Sequence, residues 1–146
     1  MIYWEKQKNI KSLYELYSRP LREKYGLTQM EYSILIFLHR NPGYDTAASI
    51  VQTSRFTKSH VSGAIRNLEE QGLLTKEYRD NNNKTIHLKL TEQADRILQE
   101  STVVTGKYYT CLFSGFSEEE LGKMKNYFER ICENAETALQ NMEREQ

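Results

Sequence analysis

The chain has 146 residues, 38% hydrophobic and 27% charged, with 20 Lys and Arg balanced by 20 Asp and Glu. That length suits one domain of ordinary size, or a domain with a helical extension, and ten Tyr and five Phe supply more apolar bulk than a disordered chain carries. The longest apolar run, Ile34 to Leu38, falls far short of the ~20 residues a membrane-spanning helix needs.

The N-terminus lacks the basic region, apolar stretch and small-residue cleavage site of a signal peptide, so a cytoplasmic location is expected. Two cysteines, Cys111 and Cys132, make neither a disulfide framework nor a zinc knuckle. The zero net charge hides a segregation. Residues 1–90 hold 14 basic and 9 acidic side chains, whereas residues 91–146 hold 6 and 11. A basic part beside an acidic part hints at a polyanion-binding face; the plain alternative is two halves that differ by chance.

In chain order, the spacing of Ile10, Leu13, Tyr14, Tyr17 and Leu21 predicts a helix from Tyr3 to Lys24, interrupted near Arg19 by Pro20 and stopped by Gly26. Thr28 and Glu31 form a capping box for a second helix that ends before Asn41-Pro42-Gly43. Its middle is apolar all round, which marks a central core helix. Asp45 or Thr46 opens a short helix over residues 47–52. After Ser54-Arg55-Phe56, Thr57 caps another with Val61, Ala64, Ile65 and Leu68 on one face and Gly72 at its end.

The period then changes to alternation. Leu74, Lys76 and Tyr78 share a face of one strand, and Ile86, Leu88 and Leu90 share a face of the next, with Asp80-Asn81-Asn82-Asn83 as the turn. Thr91 caps a long helix carrying Ala94, Ile97, Leu98, Val104, Tyr108, Cys111 and Leu112. Ser117 and Glu120 box the last helix, with Phe116 and Leu121 as its hydrophobic staple. An apolar stripe of Leu121, Met124, Phe128, Ile131, Ala135, Leu139 and Met142 suggests that the last two helices pair.

Helix, tight turn, helix and hairpin make a winged helix-turn-helix, the arrangement that lays a second helix in the major groove of DNA. Lys58, Ser59, Ser62, Gly63 and Arg66 fall opposite the core face of the reading helix, where Ser and Lys can bond bases or phosphates. Gly63 would leave room for a groove wall. On the wing, Lys84 is the candidate cation for the minor groove, with Arg79 and Lys76 beside it; the alternative is a solvated turn with incidental charges.

The runs Leu27-Thr28-Gln29-Met30-Glu31-Tyr32, Thr57-Lys58-Ser59-His60-Val61-Ser62, Leu68-Glu69-Glu70-Gln71-Gly72-Leu73 and Leu88-Lys89-Leu90-Thr91 together resemble the MarR family of bacterial transcriptional regulators. The resemblance covers nearly the whole chain and rests on the order and spacing of these runs. It implies a homodimer on a pseudo-palindromic double-stranded DNA operator, and a repressor released by a small aromatic or phenolic effector in a cleft between the dimer helices and the winged domain. The family wing commonly carries Asp, any residue, then Arg; here Asn82, Asn83 and Lys84 stand at those places, and lysine lacks arginine's planar fork. Many members also have Arg where Gly63 stands, which shifts base discrimination to Ser59, His60, Ser62 and Arg66. Residues 1–25 hold no Cys, so a peroxide sensor of the family's usual kind is not expected.

Other constellations are weaker. His39, His60 and His87 lie on separate elements, and no spacing offers zinc a local pair of ligands, so neither metal nor cofactor is expected. His39 reads as a packing residue, while His60 stands in the first turn of the reading helix. Cys111 and Cys132 read as small hydrophobes in helical stripes. Tyr14, Tyr17, Tyr32 and Tyr108 are candidates for the effector cleft, although aromatics at helical spacing also fit plain core. No phosphate loop or nucleophile elbow supports an enzyme; a winged helix that binds protein is the other competing class.

The expected fold is mostly α (α+β). Residues 1–24 form an N-terminal dimerisation helix; residues 25–90 form the winged helix-turn-helix, with helix-turn-helix 45–72 and wing 73–90; residues 91–146 form C-terminal dimerisation helices. The expected DNA-binding residues are Arg55, Thr57, Lys58, Ser59, His60, Ser62, Gly63, Arg66, Arg79, Asn82, Asn83 and Lys84.

Overall fold

A computed structural model describes residues 3–54 and 56–145, with side chains from residue 6 onward. Its order is α1 (Tyr3–Lys24), α2 (Gln29–Arg40), α3 (Ala47–Thr53), α4 (Lys58–Glu70), β1 (Leu74–Arg79), β2 (Asn82–Leu90), α5 (Glu92–Leu112) and α6 (Glu118–Arg144). The chain divides into two compact units, residues 1–109 and residues 110–146.

The first unit is built around α2. Ile34, Leu35, Ile36 and Leu38 are buried on several sides of it, as an apolar helix requires, and they join Leu21, Ile50, Val61, Leu68, Leu74, Leu88 and Ile97 in one core. Local chemistry sets the boundaries. Thr28 and Glu31 complete a capping box at α2, and Thr57 accepts the His60 N–H at α4. Gly26 and Gly72 take positive φ (64° and 73°). The amide that follows each glycine reaches back five residues, Leu27 to Arg22 and Leu73 to Leu68, closing both helices with Schellman bonds. In each case the residue after the glycine is a buried leucine, so the stop signal also turns the chain into the core.

Three details differ from the sequence expectation. Pro20 lies inside a continuous α1. Proline removes one helix bond, to the Leu16 carbonyl one turn back, and Leu16 is exposed, so water can take that bond's place. The hydroxyl of Thr91 donates to the Gly72 carbonyl at 2.6 Å, and the Thr91 amide to that of Leu73 at 3.2 Å. Thr91 therefore staples the end of α4 to the start of α5. In the hairpin, only Asp80 and Asn81 form the turn, both with positive φ (55° and 58°). Asn82 pairs with Arg79, and Asn82, Asn83 and Lys84 belong to β2. Two positive-φ residues fit a type I′ loop, whose twist matches that of paired strands.

In the second unit, α6 starts at the expected box of Ser117 and Glu120 and buries none of its residues. Met124, Phe128, Ile131, Leu139 and Met142 stay exposed, and Phe113 meets Phe116 edge to face before the helix begins. Cys111 and Cys132 are exposed too, against the packing role expected of them. A stripe reads as core by its period, but a single chain gives this one no partner to bury against.

Candidate nucleic-acid interface

α4 splits cleanly into two faces. Val61, Ala64, Ile65 and Leu68 are buried, which fixes the helix on α2 and α3 and turns Lys58, Ser59, His60, Ser62 and Arg66 to solvent. At its N-terminus the Thr57 hydroxyl accepts from the His60 amide at 3.4 Å and lies 3.3 Å from Ser59 Oγ. The first turn is therefore capped, polar and exposed, with its positive dipole end at the surface. Gly63 is half-buried, but a Cβ added there would meet nothing within 4 Å. Space is thus available at Gly63 in the free chain. His39, expected to pack, is exposed near the end of α2. Arg55 lies outside the described residues.

Beside α4 runs the wing. A groove of about 240 Å³ separates them, lined by Ser62, Arg66, Lys76, Ile86 and Leu88 among others. The sheet pairs Leu74 with Leu90 and Lys76 with Leu88, and the register shifts between Glu77 and Arg79, next to the tip. Lys76 Nζ reaches Glu69 Oε2 at 2.6 Å, which ties β1 to the last turn of α4. Asn82, Asn83 and Lys84 are exposed, and the Lys84 amide donates to Asn82 Oδ1 at 2.9 Å. Arg79 differs from Lys84: its guanidinium is held by Asp45 Oδ2 at 2.8 Å and Glu77 Oε1 at 2.6 Å. Lys84, unlike Arg79 and Lys76, therefore has no ion pair among the described residues.

Asp45, read from the sequence only as a possible opener of α3 where Thr46 proves to be the cap, and His87 are not marked by the sequence as partners, yet they sit at the base of this interface. His87 Nδ1 donates to Asp45 Oδ1 at 2.8 Å. Partial burial opposes the charge on Asp45, but the bonds from His87 and Arg79 prevail and hold its carboxyl below the ordinary aspartate range. Among the described residues, no group of three His, Cys, Asp or Glu gathers in a way that could hold a metal ion.

The four tyrosines separate into two places. Tyr14 and Tyr32 line a cavity of about 480 Å³ between α1 and α2, together with Lys11, Ser18, Gln29 and Phe56. Tyr32 is fully enclosed, and its hydroxyl finds no well-formed hydrogen bond among the described residues. Burial, with Tyr14 close by, pushes its phenol well above the ordinary tyrosine range. Tyr108 and Tyr17 instead belong to an aromatic cluster: Tyr108 meets Tyr14 at 5.2 Å and Tyr17 at 6.1 Å between ring centroids, and its hydroxyl donates to the Ile10 carbonyl. That cluster packs α1 against α5 and contributes Tyr14 alone to the cavity wall.

Comparison with known proteins agrees with this geometry. Residues 25–84 match the model of the MarR family. An HTH-type transcriptional regulator, BilQ, of Clostridioides difficile (strain CD3) is 23% identical over 134 residues, covering 90% of this chain and 88% of that protein. Among solved structures, a MarR family transcriptional regulator from Listeria monocytogenes complexed with 26mer DNA superposes with a TM-score of 0.77 at 20% identity, covering 92% of this chain and 88% of that one. The organohalide-sensing regulator RdhR-CbdbA1625 in its 2,4-dichlorophenol-bound form gives 0.65 at 19% identity, covering 90% and 78%. The two structural likenesses are likenesses of fold.

Proposed function

We propose that this chain, whose residues 25–84 match the MarR family model, works in the cytoplasm as a sequence-specific DNA-binding transcriptional regulator, a homodimeric repressor of a pseudo-palindromic operator. The observation that carries this reading is the division of α4, which buries its apolar face and leaves a capped, polar first turn exposed beside a groove and a wing. In this role Lys58 and the helix N-terminus meet phosphate, while Ser59, His60, Ser62 and Arg66 face base edges. Lys84, with Asn82 and Asn83, supplies the wing contact. Few cations per subunit imply a modest, salt-sensitive affinity.

Two-fold pairing of copies accounts for the uncovered apolar face of α6, since an exposed stripe of that size calls for a partner. The dimer would set two copies of α4 about 34–36 Å apart, one turn of B-DNA. The α1–α2 cavity supports a small aromatic or phenolic effector: Tyr14, Met30, Tyr32 and Phe56 give its wall apolar and aromatic surface, set among polar side chains such as Lys11, Glu15, Ser18 and Gln29 that could orient a polar group.

Fluorescence anisotropy tests the reading, with a duplex from upstream of the gene and a scrambled duplex, each over a range of salt. Tighter binding to the upstream duplex and a steep salt dependence are expected. Absence of binding at low salt would count against a regulator and for a winged helix that binds protein.

A further inference from the structure

We propose that Asp45 is the positioning residue of the wing, gripping both strands of the hairpin at once and so setting how Lys84 is presented beside α4. The use made of the wing rests on the DNA-binding reading above, while the grip itself does not. A two-stranded hairpin is marginal on its own in water, so its attitude must be set from outside. Asp45 does this with three bonds. Its carbonyl accepts the Leu88 amide at 2.7 Å, its Oδ1 accepts from His87 at 2.8 Å, and its Oδ2 accepts from Arg79 Nη1 at 2.8 Å. Leu88 and His87 belong to β2 and Arg79 to β1.

Both ends of the grip are stiff. Asp45 directly precedes Thr46, whose reciprocal bonds with Ser49 cap α3. Across the sheet, His87 pairs in register with Glu77, and Glu77 Oε1 holds Arg79 through Nε at 2.8 Å and Nη2 at 2.6 Å. Arg79 is thus clamped between two carboxylates from different elements. Only 13% of the Asp45 side chain is exposed, so its bonds are shielded from water more than a surface pair would be. A carboxylate that merely favoured the start of α3 would gain nothing from His87 and Arg79.

Amide hydrogen exchange on the full chain tests the grip directly. In Asp45→Ala the amides of residues 76–88 should exchange roughly tenfold faster, with α2 unchanged. His87→Asn keeps a donor near the Nδ1 position and should retain protection, whereas His87→Leu should lose it. If Asp45→Ala fails to fold, the double variant Arg79→Gln/His87→Leu removes the same two side-chain bonds from the wing side. Unchanged exchange in the wing overturns the proposal. In DNA binding, Asp45→Ala should weaken affinity roughly fivefold and lower the salt slope by part of the unit that Lys84 supplies, because Lys84 is then presented less well. Lys84→Ala should then cost less in the Asp45→Ala background than alone; strictly additive effects would overturn the link to Lys84. A wild-type chain that binds no DNA would sink the regulator reading, and the exchange experiment would still decide the grip.

Discussion

Asn67 Nδ2 donates to Glu31 Oε1 at 3.0 Å, joining the exposed-face helix α4 to the first turn of α2. Glu31 is only 3% exposed, and its other oxygen accepts the Thr28 amide at 2.9 Å. One carboxylate therefore serves both the cap of a core helix and the seat of α4. Thr28, Gln29, Met30 and Tyr32, its neighbours in the chain, line the α1–α2 cavity. Glu31→Ala would open the capping box and leave Asn67 without this acceptor, at a cost of about 2–3 kcal/mol. Glu31→Gln can accept the Thr28 amide through its one carbonyl oxygen and, with the Asn67 amide turned over, donate to Asn67 Oδ1, and it should cost less than half of that. Urea unfolding followed by circular dichroism separates the two, and equal losses would refute the dual role.

Gly63 offers a test of how closely a ligand approaches α4. With nothing within 4 Å of a Cβ at that position, Gly63→Ala should stabilise the free protein by about 0.5–1 kcal/mol through helix propensity alone. If a groove wall approaches there, the same variant should bind operator less tightly despite its higher stability. A stabilised variant with undiminished affinity would place the groove elsewhere.

Lys84 and Arg79 on the wing should behave differently. Lys84→Ala is expected to weaken binding to all duplexes alike and to reduce the salt slope by about one unit. Arg79, already neutralised by Asp45 and Glu77, should leave that slope nearly unchanged when replaced by Gln. Anisotropy titrations at several salt concentrations read both, and the reverse ranking would exchange their roles.

Asp45 also makes a prediction about acid. Its carboxyl titrates below the ordinary value of 3.8 in the folded chain, so it stabilises the fold fully above that value and loses the contribution as pH falls through its folded-state titration. The gap in stability between the wild type and Asp45→Asn should therefore be constant from pH 7 down to about 5 as far as this carboxylate is concerned, and narrow below about 4. Thermal melts across that range measure it. A gap that widens in acid would contradict the sign.

What was legible in the sequence was local. The Thr28/Glu31 and Ser117/Glu120 boxes, the Thr57 cap and the Gly26 and Gly72 stops are each complete within a few residues, and they delimit most helices. The hairpin turn was only half legible, because four consecutive turn-tolerant residues do not say which two take positive φ. The Thr46–Ser49 box lacks the Glu or Gln that usually announces one. Asp45 and His87 stand 42 residues apart, and neither disturbs a hydrophobic period, so their meeting needed the fold. The cysteines and the α6 stripe show the opposite failure: a helical period says that a face is apolar, not that this same chain covers it.

Pairing through α6 is open to one substitution. Ile131→Glu places a charge in the middle of the exposed stripe and should shift the chain from dimer to monomer in sedimentation at micromolar concentration, with little change in its own fold, since nothing on α6 is buried within the chain. A variant that stays dimeric would place the interface on another face.

Specificity read by α4 is the central claim, and competition binding tests it most directly. Labelled upstream duplex is challenged with unlabelled upstream and scrambled duplexes, for the wild type, Ser59→Ala and Arg66→Ala. The wild type should prefer the upstream duplex, and each variant should change that preference by about 1–3 kcal/mol for the bases it loses. Equal competition by both duplexes, or variants that keep the wild-type preference unaltered, would contradict reading by these residues.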